Sequence, residues 1–102
     1  MIMKVDFRKI LIDPRGQKIE IKNETGEKEV LTLSRVAYEA LLANTDEKET
    51  DKYELYKLSK KTVQNKEVEI SAKEIGIIED RIKKVWATLV AGAAIDMLEN
   101  LK

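Results

Sequence analysis

The chain has 102 residues, enough for one domain with a modest core, and its 19 basic residues are balanced by 19 acidic ones. With no net charge, it has no global field to gather nucleic acid or an anionic membrane surface around it. Neither cysteine nor histidine is present, which removes disulfides, thiolate nucleophiles, imidazole bases and nearly every transition-metal site. A hydrophobic fraction of 43% argues against disorder, and a charged fraction of 37% predicts well-solvated outer faces. The opening "MIMKVDFRK" lacks the long apolar stretch of a signal peptide. The expectation is a protein that stays in the cytoplasm of the cell that makes it.

The first third reads as β structure. "KVDFRKILID" and "QKIEIKN" alternate apolar and polar residues, placing Val5 and Phe7, then Ile10 and Ile12, against Ile19 and Ile21. "DPRG" lies between them with a side-chain acceptor at Asp13, a preset φ at Pro14 and a glycine at 16, as a tight turn requires. A second turn signal, "NETG", precedes a short third strand around residues 29–31, so a hairpin or three-stranded meander is expected.

After Thr32 the period changes from two to about 3.6. Leu33, Val36, Ala37, Ala40 and Leu41 form a helical stripe that Tyr38 and Leu42 widen, with Thr32 or Ser34 as N-cap. The polar segment 44–51 reads as a connection. A second helix follows, with Leu55, Tyr56, Leu58, Thr62 and Val63 inward and Lys52, Glu54, Lys57, Lys60 and Lys61 outward. Tyr56 should be half buried, while Tyr53 lies off the main stripe and is a candidate contact residue. Val68 and Ile70 suit a short extended segment, and Ser71 with Glu74 forms the S-x-x-E signature of a helix start.

From Ile75 the residues Ile78, Ile82, Val85, Trp86 and Leu89 follow one face of a third helix. Continued unbroken, that face would include Asp96, while Val90, Ala93, Ala94, Met97, Leu98 and Leu101 form a stripe rotated by roughly a fifth of a turn. A kink or break between Trp86 and Gly92 resolves the conflict. The apolar run ending in "VAGAAIDMLENL" is interrupted by Asp96 and falls short of the roughly 20 residues that span a bilayer. It reads instead as a C-terminal helix packed on the sheet or on a second copy of itself. Its small residues Ala91, Gly92, Ala93 and Ala94 would allow close approach.

Motifs that carry chemistry are few. The glycines are isolated, so no nucleotide-binding loop is present, and "TGEK" at 25–28 is better read as a hairpin turn than as a phosphate cradle. The acidic group Asp46, Glu47, Glu49 and Asp51 lacks the glycine and the bidentate glutamate of a calcium loop. Glu79 and Asp80 are adjacent on a helix and diverge by about 100°, which is wrong for a carboxylate pair sharing a proton. Arg81, Lys83 and Lys84 beside Trp86 form the one candidate ligand patch, suited to a phosphate or base; the alternative is that Trp86 belongs to the core and the cations flank it. No cofactor is expected, and no helix carries the exposed Arg, Asn and Gln set that reads DNA bases.

The succession "VDFRKILIDPRGQ", "LTLSRVAYEALLAN", "KYELYKLSKK", "EVEISAKEIGIIEDRI" and "LVAGAAIDMLE" resembles a loose group of small uncharacterised proteins encoded by tailed phages and prophages. The resemblance covers nearly the whole chain and brings no catalytic motif. It implies a phage context and expression in the cytoplasm of a bacterial host, and it assigns no functional residue.

These readings converge on a single α+β domain over 1–102, β-rich at 3–31 and helical at 33–101, with the N-terminal hairpin or meander packed against three to four helices. The expected function is a non-enzymatic interaction module that acts on a host or phage protein and self-associates, with Tyr53, Trp86, Val90, Ala94, Met97 and Leu101 as contact residues. The alternatives are an oligomeric sponge holding a nucleotide-type ligand through Arg81, Lys83, Lys84 and Trp86, and an accessory protein of virion or tail assembly. No membrane association is expected, and nucleic-acid binding is disfavoured.

Overall fold

The computed structural model of the chain describes residues 2–43 and 51–101. Of the expected polar connection only Asp51 is described, and there it caps the helix that follows. The rest of the acidic group, Asp46, Glu47 and Glu49, lies outside the described residues.

Among the described residues the architecture is α+β, two small antiparallel sheets and four helices. Strand β1 (Ile2–Val5) pairs antiparallel with β4 (Val68–Ser71), Met3 opposite Ile70 and Val5 opposite Val68. Strands β2 (Glu20–Lys22) and β3 (Lys28–Val30) form the second sheet, a hairpin with Ile21 opposite Glu29. Between β1 and β2 the chain makes isolated bridges from Ile10 to Thr32 and from Ile12 to Lys18.

Three backbone positions close on one another here. The Leu11 amide donates to the Leu31 carbonyl at 2.9 Å, the Leu31 amide to the Ile19 carbonyl at 2.8 Å, and the Ile19 amide to the Leu11 carbonyl at 3.1 Å. The side chains of all three are buried. This ring sets the phase of the segment: Leu11 faces the core, and Ile10 and Ile12, expected inside, face outward. A strand shifted by one residue exchanges its two faces, and here the pairing of both Leu11 backbone groups decided which face turned inward.

The two tight turns share one construction. The Asp13 carboxylate accepts from the Arg15 and Gln17 amides at 2.8 and 2.9 Å, and Gly16 sits at φ 82°. In "NETGE" the Asn23 side-chain Oδ1 accepts from the Thr25 and Glu27 amides, both at 3.0 Å, with Gly26 at φ 85°. Both glycines occupy left-handed backbone that an L side chain adopts only with strain. The amides of Thr25, Gly26 and Glu27 are thereby occupied by Asn23, as a turn requires and a phosphate cradle does not.

Helix α1 (Leu33–Leu42) starts at Thr32, whose hydroxyl accepts from the Arg35 amide at 3.2 Å. It buries Leu33, Val36, Ala37, Ala40 and Leu41, the stripe its spacing predicts, while Tyr38 and Leu42 remain exposed. Helix α2 (Lys52–Thr62) is capped by Asp51 and buries Leu55, Leu58, Ser59 and Thr62; Val63 and Tyr56 turn to solvent. The buried hydroxyls of Ser59 and Thr62 donate back to the Tyr56 and Ser59 carbonyls at 2.6 and 2.7 Å, which satisfies them without any partner from another element.

Helix α3 (Ala72–Val85) carries the full capping box: the Ser71 hydroxyl accepts from the Glu74 amide, and the Glu74 carboxylate accepts from the Ser71 amide at 2.9 Å. It buries Ile75, Ile78 and Ile82. The chain breaks at Trp86 and Ala87, and α4 (Thr88–Glu99) starts afresh, within the interval where the two apolar stripes conflict. One cluster of buried apolar side chains joins the β1–β4 sheet and all four helices, with Ile21 of β2 partly buried against it, and each large buried member stabilises the fold by roughly 1.5–3 kcal/mol. Among the described residues no helix is long and apolar enough to cross a membrane.

Candidate functional site

The residues expected to make contacts divide between core and surface. Val90 and Ala94 lie in the core, Ala94 at 0% exposure, packed with Ala91 and Leu98. They are corrected from interface to interior, because α4 turns this stripe toward α3 and α1. Trp86, Met97 and Leu101 are partly buried against the core's edge, and Tyr53 is open to solvent at 67%.

The ligand patch expected from Arg81, Lys83, Lys84 and Trp86 does not assemble on a common face. Arg81 is 4% exposed; its Nε donates to the Ala40 carbonyl at 3.0 Å and its Nη2 to the Ala43 carbonyl at 2.6 Å. These are carbonyls at the C-terminal end of α1, where no intrahelical donor remains and the helix dipole favours a cation. The Trp86 indole nitrogen donates to the Val36 carbonyl at 3.0 Å. Both side chains therefore hold α3 to α1, while Lys83 and Lys84 are exposed. A sequence signal for this role exists: α1 has no basic residue in its own last turn, so a cation from another element is needed there.

Helices α4 and α2 each present an exposed face with candidate contact residues. On α4, Leu89, Ala93 and Met97 are spaced i, i+4, i+8 and so lie along one flank beside Trp86. Leu89 is 50% exposed, and Ala93 and Met97 are partly buried. On α2, Tyr53, Tyr56, Lys57 and Lys60 share the side opposite the buried stripe. The Lys57 ammonium sits 4.8 Å from the centroid of the Tyr53 ring, and that of Lys60 5.0 Å from Tyr56.

Two depressions among the described residues are open. One of about 420 Å³ is lined by Lys22, Asn23, Glu24, Thr25, Glu29 and Arg35. There Glu29 accepts from Asn23 at 3.0 Å and pairs with Arg35, and these bonds hold its carboxyl below the usual range. A second, at the C-terminal end of α2, is lined by Lys60, Lys61, Gln64, Lys66 and Glu67 with β4. Lys61 there pairs with Glu74 at 2.8 Å. Burial raises the Glu74 carboxyl, but the bonds from Lys61 and the Ser71 amide outweigh it, so the net shift is downward. Among the described residues no group of three or more acidic side chains is placed to hold a metal ion.

Comparison with protein-family models, with curated proteins and with solved structures finds no match to this chain.

Proposed function

We propose that the chain is a non-enzymatic protein-interaction module that self-associates through the flank of α4. The observation that carries this reading is the row Leu89, Ala93 and Met97, with Leu89 half exposed and Ala93 and Met97 partly buried. A large aliphatic side chain at that exposure, continuous with half-covered neighbours, is what an association surface presents. Cytoplasmic action on a host or phage protein rests on the resemblance to phage and prophage proteins and belongs to the same proposal. Arg81 and Trp86 are committed to α1, which removes support for the nucleotide sponge.

The test is light scattering on the wild-type chain and on Leu89→Glu. The wild type should run above the monomer mass and the variant at it, both folded by circular dichroism because Leu89 is outside the core. A wild type that stays monomeric at about 100 μM, where weak interfaces of this kind associate, would overturn self-association. Capture from a bacterial lysate that retrieves no stoichiometric protein either would overturn the interaction reading as a whole.

A further inference from the structure

The chain has three tyrosines, and all of them are at least 40% exposed, with two on one face of α2. That face is centred opposite Leu55, Leu58 and Thr62. Along it run Tyr53, Tyr56, Lys57, Lys60 and Gln64, while Glu54, the one acidic residue of α2, falls at its edge beside Lys61. In a chain with no net charge, α2 carries four lysines against one glutamate. The excess positive charge is thus concentrated on a single element and interleaved with aromatic rings.

We infer that this face docks an acidic segment of a partner protein, whose carboxylates are spaced by about one helical turn to meet Lys57 and Lys60. The inference rests on the interaction-module reading and identifies a second surface of it, separate from the α4 flank. Tyrosine supplies large contact area at low entropic cost and is enriched where protein interfaces concentrate their affinity. One face of each ring is already covered by an ammonium group at about 5 Å. What the surface offers outward is therefore hydroxyls and ammonium groups, which carboxylates match.

The same arrangement disfavours a single-stranded nucleic acid. Bases stack on open aromatic faces, and one face each of Tyr53 and Tyr56 is taken by the chain's own lysines. The α2 face also has no arginine to stack or to clamp a phosphate.

The experiment is fluorescence anisotropy with three labelled probes: an amphipathic peptide carrying Glu pairs one helical turn apart, the same peptide with Gln at each Glu, and oligo-dT. The expected result is binding of the Glu peptide that weakens with added salt and exceeds that of the Gln peptide roughly fivefold or more, as two exposed ion pairs of ordinary strength give. In the double variant Lys57→Gln/Lys60→Gln this preference should vanish with the urea midpoint unchanged, since both lysines are exposed. Equal binding of the two peptides, a preference that survives in the double variant, or tighter binding of oligo-dT would each overturn the inference. If the peptides fail while lysate capture still retrieves a stoichiometric protein, the α2 inference falls and the interaction-module reading stands.

Discussion

Helices α3 and α4 are consecutive and of similar length, 14 and 12 residues, yet they are held in different ways. Helix α3 is specified locally. It has a complete capping box, one narrow stripe of isoleucines facing inward, and Lys83 and Lys84 in its last turn where the dipole favours them. Helix α4 has no side-chain cap at Ala87 and no acidic residue in its first turn or basic residue in its last. Its apolar residues extend well beyond the buried stripe. Such a helix depends on its neighbours for stability and on packing for its orientation. The difference shows why a long apolar run is a poor guide to an interface: the run contains both core and surface, and only the docking of α4 separates Ala94 from Leu89.

The largest effect that tests this contrast is expected at Ala94. Glu in its place would be buried without a counter-charge, so Ala94→Glu should lose more than about 4 kcal/mol, on the scale of an unpaired buried charge, and leave the chain largely unfolded by circular dichroism. A folded variant with altered mass would instead return Ala94 to the interface. Next comes Ile78→Ala in the α3 stripe, for which urea denaturation should report a loss of roughly 2–5 kcal/mol.

A sharper comparison exchanges the caps. Ser71→Ala should destabilise by about 1 kcal/mol, while Ala87→Ser, supplying the acceptor that α4 lacks, should stabilise by about 0.5–1 kcal/mol; urea midpoints at unchanged slope would measure both. The smallest effect is the pH response of the ion pair between α2 and α3. The Glu74 carboxyl titrates below its ordinary value in the folded chain, so its contribution is present at neutral pH and lost as pH falls below that ordinary value and through the lower folded one. With Lys61 partly exposed, the amount is a few tenths of a kcal/mol to about 1. Thermal midpoints of wild type and Glu74→Gln should therefore converge as the solution is acidified.

Every helix was legible in the chain, because Thr32 and Ser71 are capping residues and the stripes of α1 and α3 repeat at helical spacing. The break near Trp86 was legible too, since two stripes out of phase cannot share one straight helix. The outer positions were read less well: Tyr38, Leu42 and Val63 extend their stripes on paper but fall outside the width that the neighbouring elements cover. Arg81 was read as a ligand contact because its charge was visible, whereas its partners, the Ala40 and Ala43 carbonyls, are backbone groups that a residue pattern does not display.

By itself the sequence determined the α+β class, the two Asx-and-glycine turns, the starts of α1 and α3 and the α3–α4 break, all of them consequences of local sterics, capping and periodicity within a few residues. Tertiary structure alone decided three things. It joined β1 to β4 across more than sixty residues, turned Leu11 rather than its neighbours inward through the ring with Ile19 and Leu31, and drew Arg81 onto the end of α1. Each depends on which distant backbone groups meet and are removed from water together, and that is a property of the assembled core.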